Sequence, residues 1–429
     1  MPVVVLFIIF VVLLVIAVPV SITLGITSVL PSVFDPSFTV GAKYLIRAMF
    51  GGLDSFPLLA VPMFVLSGII MAKGGISKKL FDVFAYFLGK FTAGMPCAVI
   101  VTCLFYGAIS GSAPATVAAV GSMTIPILSN LGYDLTFSTA IVAVAGGLGV
   151  IIPPSIPFIM YGMASGASVS DLFLAGIIPG LMIGALLMLY AIYHCKRYGE
   201  DKEKIHAEVQ MLHDKGLLKV LKESFFALLS PVIILGCIYT GVASPTEAAV
   251  ISVFYALIIS LFVYKSIKLR DIWPILVEAI RTFTPILFIL AASTAFSRVL
   301  TLMQVPQTVS EFILNNFHSP VAILLIINLF LLIVGMVMDT TPAILILTPI
   351  LLPIVEAVGI HPIHFGIVMV VNLAIGFVTP PIGVNLFVAS SLTDVPVMEI
   401  AKKAMPMILY FFAALLIVTF VPAVSLALL

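Results

Sequence analysis

Long apolar runs follow one another along the chain and are separated by only a few polar residues. Nine of them approach or exceed the roughly 20 residues that a helix needs to cross a bilayer. They cover residues 2–31, 52–73, 134–165, 170–195, 222–241, 245–264, 281–303, 362–392 and 404–427. This pattern predicts an all-α polytopic membrane protein.

Two further apolar stretches, 95–130 and 319–357, have a different pattern. Each is too long for one crossing and is interrupted near its centre by Gly, Pro, Ser and Thr. Irregular backbone at membrane depth is tolerated only where protein or a water-filled cavity satisfies its polar groups. We therefore predict two re-entrant helical hairpins.

The segments between the runs suggest arms and a link. Residues 35–50 and 265–280 mix charged and apolar side chains, which is typical of amphipathic arms at the membrane interface. Residues 196–223 are hydrophilic, and we interpret them as a link between two halves. The first apolar run has no basic residue before it and no clear cleavage site, so it predicts a retained first helix.

The distribution of basic residues orients this layout. With the link in the cytoplasm, sixteen of the 20 Lys and Arg residues lie on the cytoplasmic side or at that membrane surface. Such a bias is typical of cytoplasmic loops. The nine crossings and two hairpins then predict an inside N-terminus and an outside C-terminus.

Composition excludes several other classes of protein. Hydrophobic residues make up 62% of the 429 and charged residues 9%, whereas a soluble domain carries about 25% charged residues. A net charge of +1 indicates no nucleic-acid partner. The sequence has no phosphate-binding loop, no His-Glu-x-x-His motif and no Cys/His pair with catalytic spacing, so it indicates neither ATP use nor an enzyme.

The chain also contains an internal repeat at an offset of 227 or 228 residues. The matching segments are 56–57 with 284–285, 107–115 with 335–343, and 149–154 with 376–381. Five predicted crossings separate Pro57 from Pro285, an odd number, so the copies should be inverted. Inverted repeats with paired broken helices are typical of secondary transporters, which bind their ligands near the bilayer midplane.

The repeated segments carry residues that break helices. Glycines permit backbone conformations that other residues resist, and prolines leave carbonyls without helical partners. Freed carbonyl and hydroxyl oxygens suit a small cation, and helix N-termini suit a carboxylate. A single Gly or Pro is common in membrane helices and also serves close packing, but the repeated set is typical of a binding site.

Arg298 lies within the apolar run 281–303, where a charge is costly and usually functional. Its guanidinium suits bidentate contact with a substrate carboxylate. The alternatives are an ion pair with Asp339 or Glu311, or snorkelling to the outer face. Asp339 is itself a candidate sodium ligand, helix cap or proton carrier.

Two other polar motifs have simpler interpretations. Ser244 and Glu247 have the spacing of a capping box. His361 and His364 lie three residues apart without a third ligand, and we interpret them as a helix-start pair rather than a metal site.

Five segments together resemble the large membrane subunit of TRAP transporters, the tripartite ATP-independent periplasmic transporters of bacteria and archaea. They are GAISGSAPATVAAVGSMTIPIL (107–128), GGLGVIIPPSIPFIMYG (146–162), SPTEAAV (244–250), MDTTPAILILTPILLPI (338–354) and NLAIGFVTPPIGVNLFVAS (372–390). The resemblance runs over nearly the whole chain. It implies sodium-driven uptake of an organic acid across the bacterial inner membrane by an elevator-type movement. In that membrane, the inside N-terminus predicted from the layout is cytoplasmic and the outside C-terminus is periplasmic.

The resemblance also implies partners. These are a small four-helix membrane subunit and a soluble periplasmic substrate-binding protein, besides the organic acid and the lipid bilayer. No cofactor is expected apart from sodium as the coupling ion. We expect docking of the binding protein on the outward face, including the segment 304–318 and the arm 35–50.

Ligand positions follow from the resemblance at the hairpin tips and helix breaks. The expected sodium ligands are Ser110, Gly111, Ser112 and Gly149 in the first half and Gly335, Asp339, Thr340, Thr341, Gly376 and Thr379 in the second. The expected substrate residues are Arg298, Pro153, Ser155, Pro381 and Asn385. Because Ser110-Gly-Ser in the first copy corresponds to Met338-Asp-Thr in the second, the two cation sites should differ in their ligands.

The layout divides the chain into scaffold and transport parts. Scaffold helices with their arms are expected at 1–94 and 222–318, transport parts with a hairpin and a broken helix at 95–165 and 319–392, a scaffold helix with the link at 166–221, and a C-terminal helix at 393–429.

Other functions remain open at this point. A stand-alone sodium/dicarboxylate symporter would share the hairpins and the repeat, and the need for a binding protein separates it from a TRAP subunit. A membrane enzyme or a channel fits the repeat less well. The substrate class includes sialic acid and C4-dicarboxylates, and the wording of the motifs resembles the sialic acid branch most.

Overall fold

The computed structural model describes residues 3–34, 38, 41–317 and 319–429. About 84% of the chain is helical, and none of the described residues forms a strand. The first half contains α1 (Val3–Val15), α2 (Val20–Phe34), α3 (Ala42–Leu53), α4 (Ala60–Lys73), α5 (Ile76–Leu88), α6 (Gly94–Ser110), α7 (Ala113–Asn130), α8 (Leu135–Gly146), α9 (Ile156–Ser165), α10 (Val169–Tyr198) and α11 (Lys202–Asp214). The second contains α12 (Leu217–Tyr239), α13 (Pro245–Ile258), α14 (Ile272–Leu302), α15 (Val305–Asn316), α16 (Pro320–Val337), α17 (Thr340–Ala357), α18 (Pro362–Gly376), α19 (Val384–Thr393), α20 (Val397–Phe420) and α21 (Ala423–Leu426).

Eight helices among the described residues are long and apolar enough to cross a membrane. They are α4 with the 3-10 turn before it, α10, α12, α13 with its π-helical end, α14, α16, α17 and α20. Most of the other apolar helices are shorter because the Gly and Pro motifs interrupt them. The predicted all-α polytopic fold is confirmed.

The helix boundaries repeat along the chain. Helices α6 to α10 have the same order as α16 to α20. Both α7 and α17 have 18 residues, and both α9 and α19 have 10. Their first residues are offset by 227 and 228, so the repeat seen in the motifs extends to whole helices.

The first predicted hairpin is formed by α6 and α7. Ala93, just before α6, donates its backbone N–H to the Glu200 carboxylate at 3.0 Å, and the Tyr133 hydroxyl, just after α7, donates to the same carboxylate at 2.5 Å. Because Glu200 belongs to the link, both ends of this hairpin lie on the link side of the molecule.

The second hairpin, α16 and α17, ends on the opposite side. The Pro362 carbonyl that follows it accepts a hydrogen bond from the Tyr161 hydroxyl at 2.6 Å. Tyr161 lies near the end of α9, from which the 30-residue α10 runs back to the link. The two hairpins therefore enter from opposite faces, as an inverted repeat requires.

The prediction of a single first helix over 2–31 is wrong. This run forms two helices, α1 and α2, that pack against each other. The helix is interrupted because Ala17 has a φ of 63° and Pro19 lacks the N–H that would continue it. The prediction that the N-terminus is inside depends on counting this run as one crossing, and it stays a prediction.

The prediction of a separate arm over 265–280 is also wrong. Residues from Ile272 onward form the first turns of α14, which continues without a break to Leu302. Pro285 is accommodated inside the helix, and neighbouring groups in the membrane can satisfy the carbonyl that it leaves free. The arm and the crossing are thus one helix.

The first arm is a helix of its own. In α3, Leu45 and Ala48 are buried, whereas Lys43 and Arg47 are exposed, which fits an amphipathic arm. Residues 35–37 and 39–40 of the predicted arm, and position 318 of the predicted docking segment, lie outside the described residues.

Packing brings the two broken helices, α8–α9 and α18–α19, together. Helix α7 packs against α8 and α19, and α17 packs against α9. Helices α4 and α13 form a second group together with α3 and α14. The candidate site lies where α9 and α17 face this second group.

Candidate functional site

The first hairpin tip is joined to the first helix break. Gly111 adopts a left-handed conformation with φ 62°, and its carbonyl accepts from the backbone N–H of Ile156 at 3.2 Å. One turn earlier, a Cβ on Gly107 would lie 2.7 Å from the Cα of Gly149. Glycine at both positions therefore allows α6 to cross the broken helix at backbone distance.

The second half has the same crossing. A Cβ on Gly376 would lie 2.3–2.5 Å from backbone atoms of Gly335. Beyond the break, the Ile382 backbone N–H donates to the Met336 carbonyl at 3.2 Å. In each half, then, a glycine pair and a backbone hydrogen bond fix the broken helix to its hairpin.

Oxygen atoms cluster at the first tip. The Ser110 hydroxyl lies 3.0 Å from that of Thr116, which donates to the Ser112 carbonyl at 2.8 Å. A Cβ on Gly149 would lie 2.4 Å from the Thr116 hydroxyl oxygen, so this oxygen faces the crossing directly. Sequence reasoning missed Thr116, although it lies one helical turn after Ser112 and that spacing could have indicated it.

The second tip carries a different set of oxygens. Asp339 caps α17, accepting from the Thr340 hydroxyl at 3.1 Å and from the Thr341 backbone N–H at 3.4 Å. The Thr379 hydroxyl donates to the Ile375 carbonyl at 2.7 Å, which leaves its lone pairs for a ligand. The helix-cap interpretation of Asp339 is thus the one that the structure supports directly, and its role as a sodium ligand stays a prediction.

The oxygens at the two tips do not correspond position by position. Thr116 is replaced by Ile344 in the second copy, and Thr379 by Ile152 in the first. Within the described residues no group of three or more His, Cys, Asp and Glu side chains could hold a metal ion. The oxygens at the tips are carbonyls, hydroxyls and one carboxylate, which suit a hard monovalent or divalent cation rather than a transition metal.

A cavity of about 670 Å³ lies between α9 and α17 on one side and the second group of helices, α3, α4, α13 and α14, on the other. Helices α9 and α17 form one wall, and α3, the turn before α4, the start of α13 and the last part of α14 form the other. Polar lining residues are Ser55, Ser170, Ser244, Thr246, Thr294, Ser297 and Arg298. Arg298 is the one charged residue in this lining.

Arg298 reaches the cavity from the last part of α14. Its side chain is exposed, and its guanidinium lies 3.9 Å from the position of a Cβ on Gly51. The ion pairs found among the described residues do not include Arg298, so the alternative of a salt bridge to Asp339 or Glu311 is excluded. The guanidinium is available to a substrate.

The α3 backbone approaches α14 closely at this point. A Cβ on Gly52 would lie 2.4 Å from the Thr294 hydroxyl oxygen. Thr294 and Arg298 are one turn apart and therefore share a face of α14. Sequence reasoning found Arg298 by its charge but missed Thr294 and Ser297, which have no distinctive local signal.

The other predicted substrate residues are not in the cavity lining. Ser155 is buried and caps α9, donating to the Val150 carbonyl at 2.5 Å. Asn385 is buried and donates to the Ala143 carbonyl of the other broken helix at 3.0 Å. Pro153 and Pro381 form the two helix breaks, each within a cis Pro-Pro pair. The structure brings only Arg298 of this set into the cavity.

The capping and histidine predictions can be compared with the structure directly. Ser244 and Glu247 form the predicted capping box at the start of α13. His361 caps α18, as expected of a helix-start residue, whereas His364 is buried against Ser425 and the Thr419 carbonyl.

Comparison with known proteins identifies close relatives. Residues 7–424 match the family described as Tripartite ATP-independent periplasmic transporter, DctM component. The isethionate TRAP transporter permease protein DctMQ of Oleidesulfovibrio alaskensis is 44% identical over 423 residues, which are 99% of this chain but 66% of that protein. The C4-dicarboxylate TRAP transporter large permease protein DctM of Pseudomonas aeruginosa is 41% identical, covering 89% of this chain and 88% of that one. The sialic acid TRAP transporter large permease protein SiaM of Vibrio cholerae is 34% identical, covering 91% and 90%.

All three relatives are named as transporter permeases and not as enzymes. Two solved transporter structures share the fold. The YdaH transporter of Alcanivorax borkumensis has a TM-score of 0.65 at 13% identity, covering 96% of this chain and 97% of that one. MtrF of Neisseria gonorrhoeae has a TM-score of 0.63 at 14% identity, covering 96% and 93%. At such identities the likeness concerns the fold alone.

Proposed function

The chain belongs to the DctM component family of tripartite ATP-independent periplasmic transporters, and we propose that it moves a small organic acid across the bacterial inner membrane together with sodium. The observation that carries the proposal is the cavity at Arg298. It offers one guanidinium without an ion-pair partner among the described residues, together with hydroxyl groups, between the first broken helix, the second hairpin and the scaffold helices. Such concave sites between structural units are typical of small-molecule binding.

The substrate class follows from this chemistry. A guanidinium fork binds carboxylate or sulfonate oxygens bidentately, and no acidic residue lines the cavity to repel them. Relatives are named for isethionate, C4-dicarboxylate and sialic acid, all of which are organic acids. We therefore assign an organic acid to this cavity.

The tips provide the basis for sodium coupling. In the first half, a glycine crossing brings the Thr116 hydroxyl and the Ser112 carbonyl of the hairpin next to the helix break. In the second half, the crossing brings the Gly335 carbonyl of the hairpin next to a broken helix that carries the Thr379 hydroxyl. Oxygen donors of this kind coordinate a small cation, and its charge offsets that of an acid bound nearby. We infer one cation position at Ser110, Ser112 and Thr116, and another at Asp339, Thr340 and Thr379.

Movement is proposed to occur between two bodies. The hairpins and broken helices, 95–165 and 319–392, would slide as one unit past the helices α3, α4, α13 and α14. The cavity lies at the boundary between these bodies, so sliding would carry a bound acid from one face to the other. The bias of Lys and Arg orients the link side to the cytoplasm.

Two partners complete the proposed transporter. A small membrane subunit would pack on the scaffold, and a periplasmic binding protein would deliver the acid. The DctMQ relative is longer than this chain, and we propose that its additional length corresponds to a fused small subunit.

Reconstitution tests the proposal. The chain, its small subunit and its binding protein are placed in liposomes, and uptake of a labelled acid is measured with and without an inward sodium gradient. We expect uptake to need the gradient and to be unaffected by ATP. Uptake without sodium would contradict the coupling, and full uptake without a binding protein would favour a stand-alone sodium symporter.

A further inference from the structure

We propose that the cavity selects acids that carry a single anionic group and a hydrogen-bond-donating remainder, and that it discriminates against dicarboxylates. This inference rests on the proposed function, since it assumes that the cavity at Arg298 holds the substrate. It depends on the hydrogen bonds within the protein that the lining hydroxyl groups and the N-terminus of α13 already form.

The first step is the count of positive groups. Arg298 is the one cationic side chain of the lining, and its fork accommodates one carboxylate or sulfonate. A second carboxylate would find no cationic side chain in this lining, so any water that it gave up would be replaced by neutral groups alone. The cavity therefore offers a strong site for one acid group.

The second step concerns the hydroxyl protons. Three lining hydroxyls donate to protein acceptors: Thr294 to the Leu290 carbonyl at 2.9 Å, Thr246 to the Phe56 carbonyl at 3.2 Å, and Ser244 to the Glu247 carboxylate at 2.7 Å. A hydroxyl has one proton and two lone pairs, so each presents lone pairs alone to a ligand. Lone pairs repel a carboxylate but accept from the O–H or N–H groups of a substrate.

The third step concerns the start of α13, which borders the cavity. A helix N-terminus with free N–H groups would attract a second acid group. Here the Glu247 carboxylate already accepts from the Ser244 backbone N–H at 2.8 Å. Its negative charge also offsets the partial positive charge of the helix N-terminus. Glu247, which lies outside the lining, thus already takes the backbone N–H of Ser244 that a second carboxylate would otherwise accept from.

The remaining lining hydroxyls do not change this balance. Ser55, Ser170 and Ser297 can each donate or accept, and Ser297 adjoins Arg298 along α14. A neutral hydroxyl alone does not offset the desolvation of a carboxylate. At about 670 Å³, the cavity also has room for a hydroxylated remainder larger than a four-carbon acid.

Three four-carbon acids of nearly equal size test the selectivity: succinate, γ-hydroxybutyrate and butyrate. The permease, together with its small subunit in lipid nanodiscs, is titrated with each acid at constant sodium and ionic strength. Dissociation constants are taken from the shift in thermal unfolding. We expect γ-hydroxybutyrate to bind on the order of tenfold more tightly than succinate, and more tightly than butyrate because its hydroxyl meets the acceptor lone pairs.

Variants separate failure of this inference from failure of the proposed function. If Arg298→Ala leaves binding of all three acids unchanged, or if none binds to the wild type, the cavity is not the substrate site and both proposals fail. If binding needs Arg298 but succinate binds as tightly as γ-hydroxybutyrate, the proposed function stands and the selectivity is overturned.

Glu247→Gln provides a direct test of the charge at α13. It removes the negative charge but keeps an acceptor for the cap. Because Glu247 is exposed to solvent, we expect the affinity of succinate relative to γ-hydroxybutyrate to rise by about threefold. The matched control is Glu399→Gln, which changes a glutamate at the same position in the first turn of α20, away from the cavity lining. An unchanged ratio in a folded Glu247→Gln variant, or an equal rise in the control, would overturn the role of Glu247.

Discussion

The close crossing of α16 and α18 at Gly335 and Gly376 predicts the effect of an alanine substitution at Gly376. An alanine at Gly376 would place its Cβ 2.3 Å from the carbonyl carbon of Gly335 and 2.4 Å from its oxygen. Ordinary contact of a Cβ begins at 3.4 Å, so the two backbones have to separate by about 1 Å. No flexible side chain is available there to move aside instead.

The effect on function should exceed the effect on stability. Overpacking of this kind typically costs about 1–3 kcal/mol, while alanine in place of glycine stabilises a helix by roughly 0.5–1 kcal/mol. A displacement of about 1 Å is nevertheless a large fraction of a cation–oxygen distance of roughly 2.4 Å. We therefore expect sodium-driven uptake to fall on the order of tenfold or more in a protein that still folds.

The assay compares three alanine variants in proteoliposomes with the partner proteins, with thermal unfolding measured in parallel. Gly149→Ala should be milder, because its Cβ would lie 2.4 Å from the Thr116 side chain, while the nearest backbone atom, the Ser112 carbonyl oxygen, is 2.8 Å away. Gly236→Ala in α12 is the control, since nothing lies within 4 Å of its Cβ. Wild-type sodium dependence in a folded Gly376→Ala variant would refute the reasoning, as would an equal loss in Gly236→Ala.

Three further predictions concern single side chains. Arg298→Lys should reduce uptake and Arg298→Ala should reduce it further, because a point charge does not replace a planar fork; full uptake by the lysine variant would favour a simple charge role. Thr379→Val should raise the sodium concentration needed for half-maximal uptake without lowering the unfolding temperature, and an unchanged sodium dependence would remove this hydroxyl from the cation site. Glu200→Gln should lower stability by about 1 kcal/mol, because its carboxylate holds Ala93 and Tyr133 at the base of the first hairpin. Burial and this hydrogen bond raise the pKa of Tyr133, so its hydroxyl stays a donor at neutral pH, and an unchanged unfolding temperature would show that the anchor is dispensable.

Local features of the sequence determined most of the helices and their breaks. A run of apolar residues has to be helical in lipid, since no water satisfies its backbone. The Pro-Pro pairs that contain Pro153 and Pro381 interrupt their helices, because each pair removes two neighbouring N–H donors. These local signals predict the hairpins, the broken helices and the repeat. The same reasoning failed where the signal was ambiguous: Pro19 lies in the break between α1 and α2, whereas Pro285 is tolerated inside α14.

The tertiary structure alone decided which groups share the candidate site. Arg298 could be singled out from sequence because an isolated charge in an apolar run is conspicuous. Thr246, Thr294 and Gly52 have no such local mark. They reach one cavity because α3 packs against α14, and because α13 and α14 both pack against α4. Likewise, a serine or threonine in a membrane helix has the same sequence signal whether its proton is free or already donated to a carbonyl. Whether the proton is free depends on long-range packing, which determines the hydrogen-bond partners of each hydroxyl. A residue pattern along the chain contains no information about these partners.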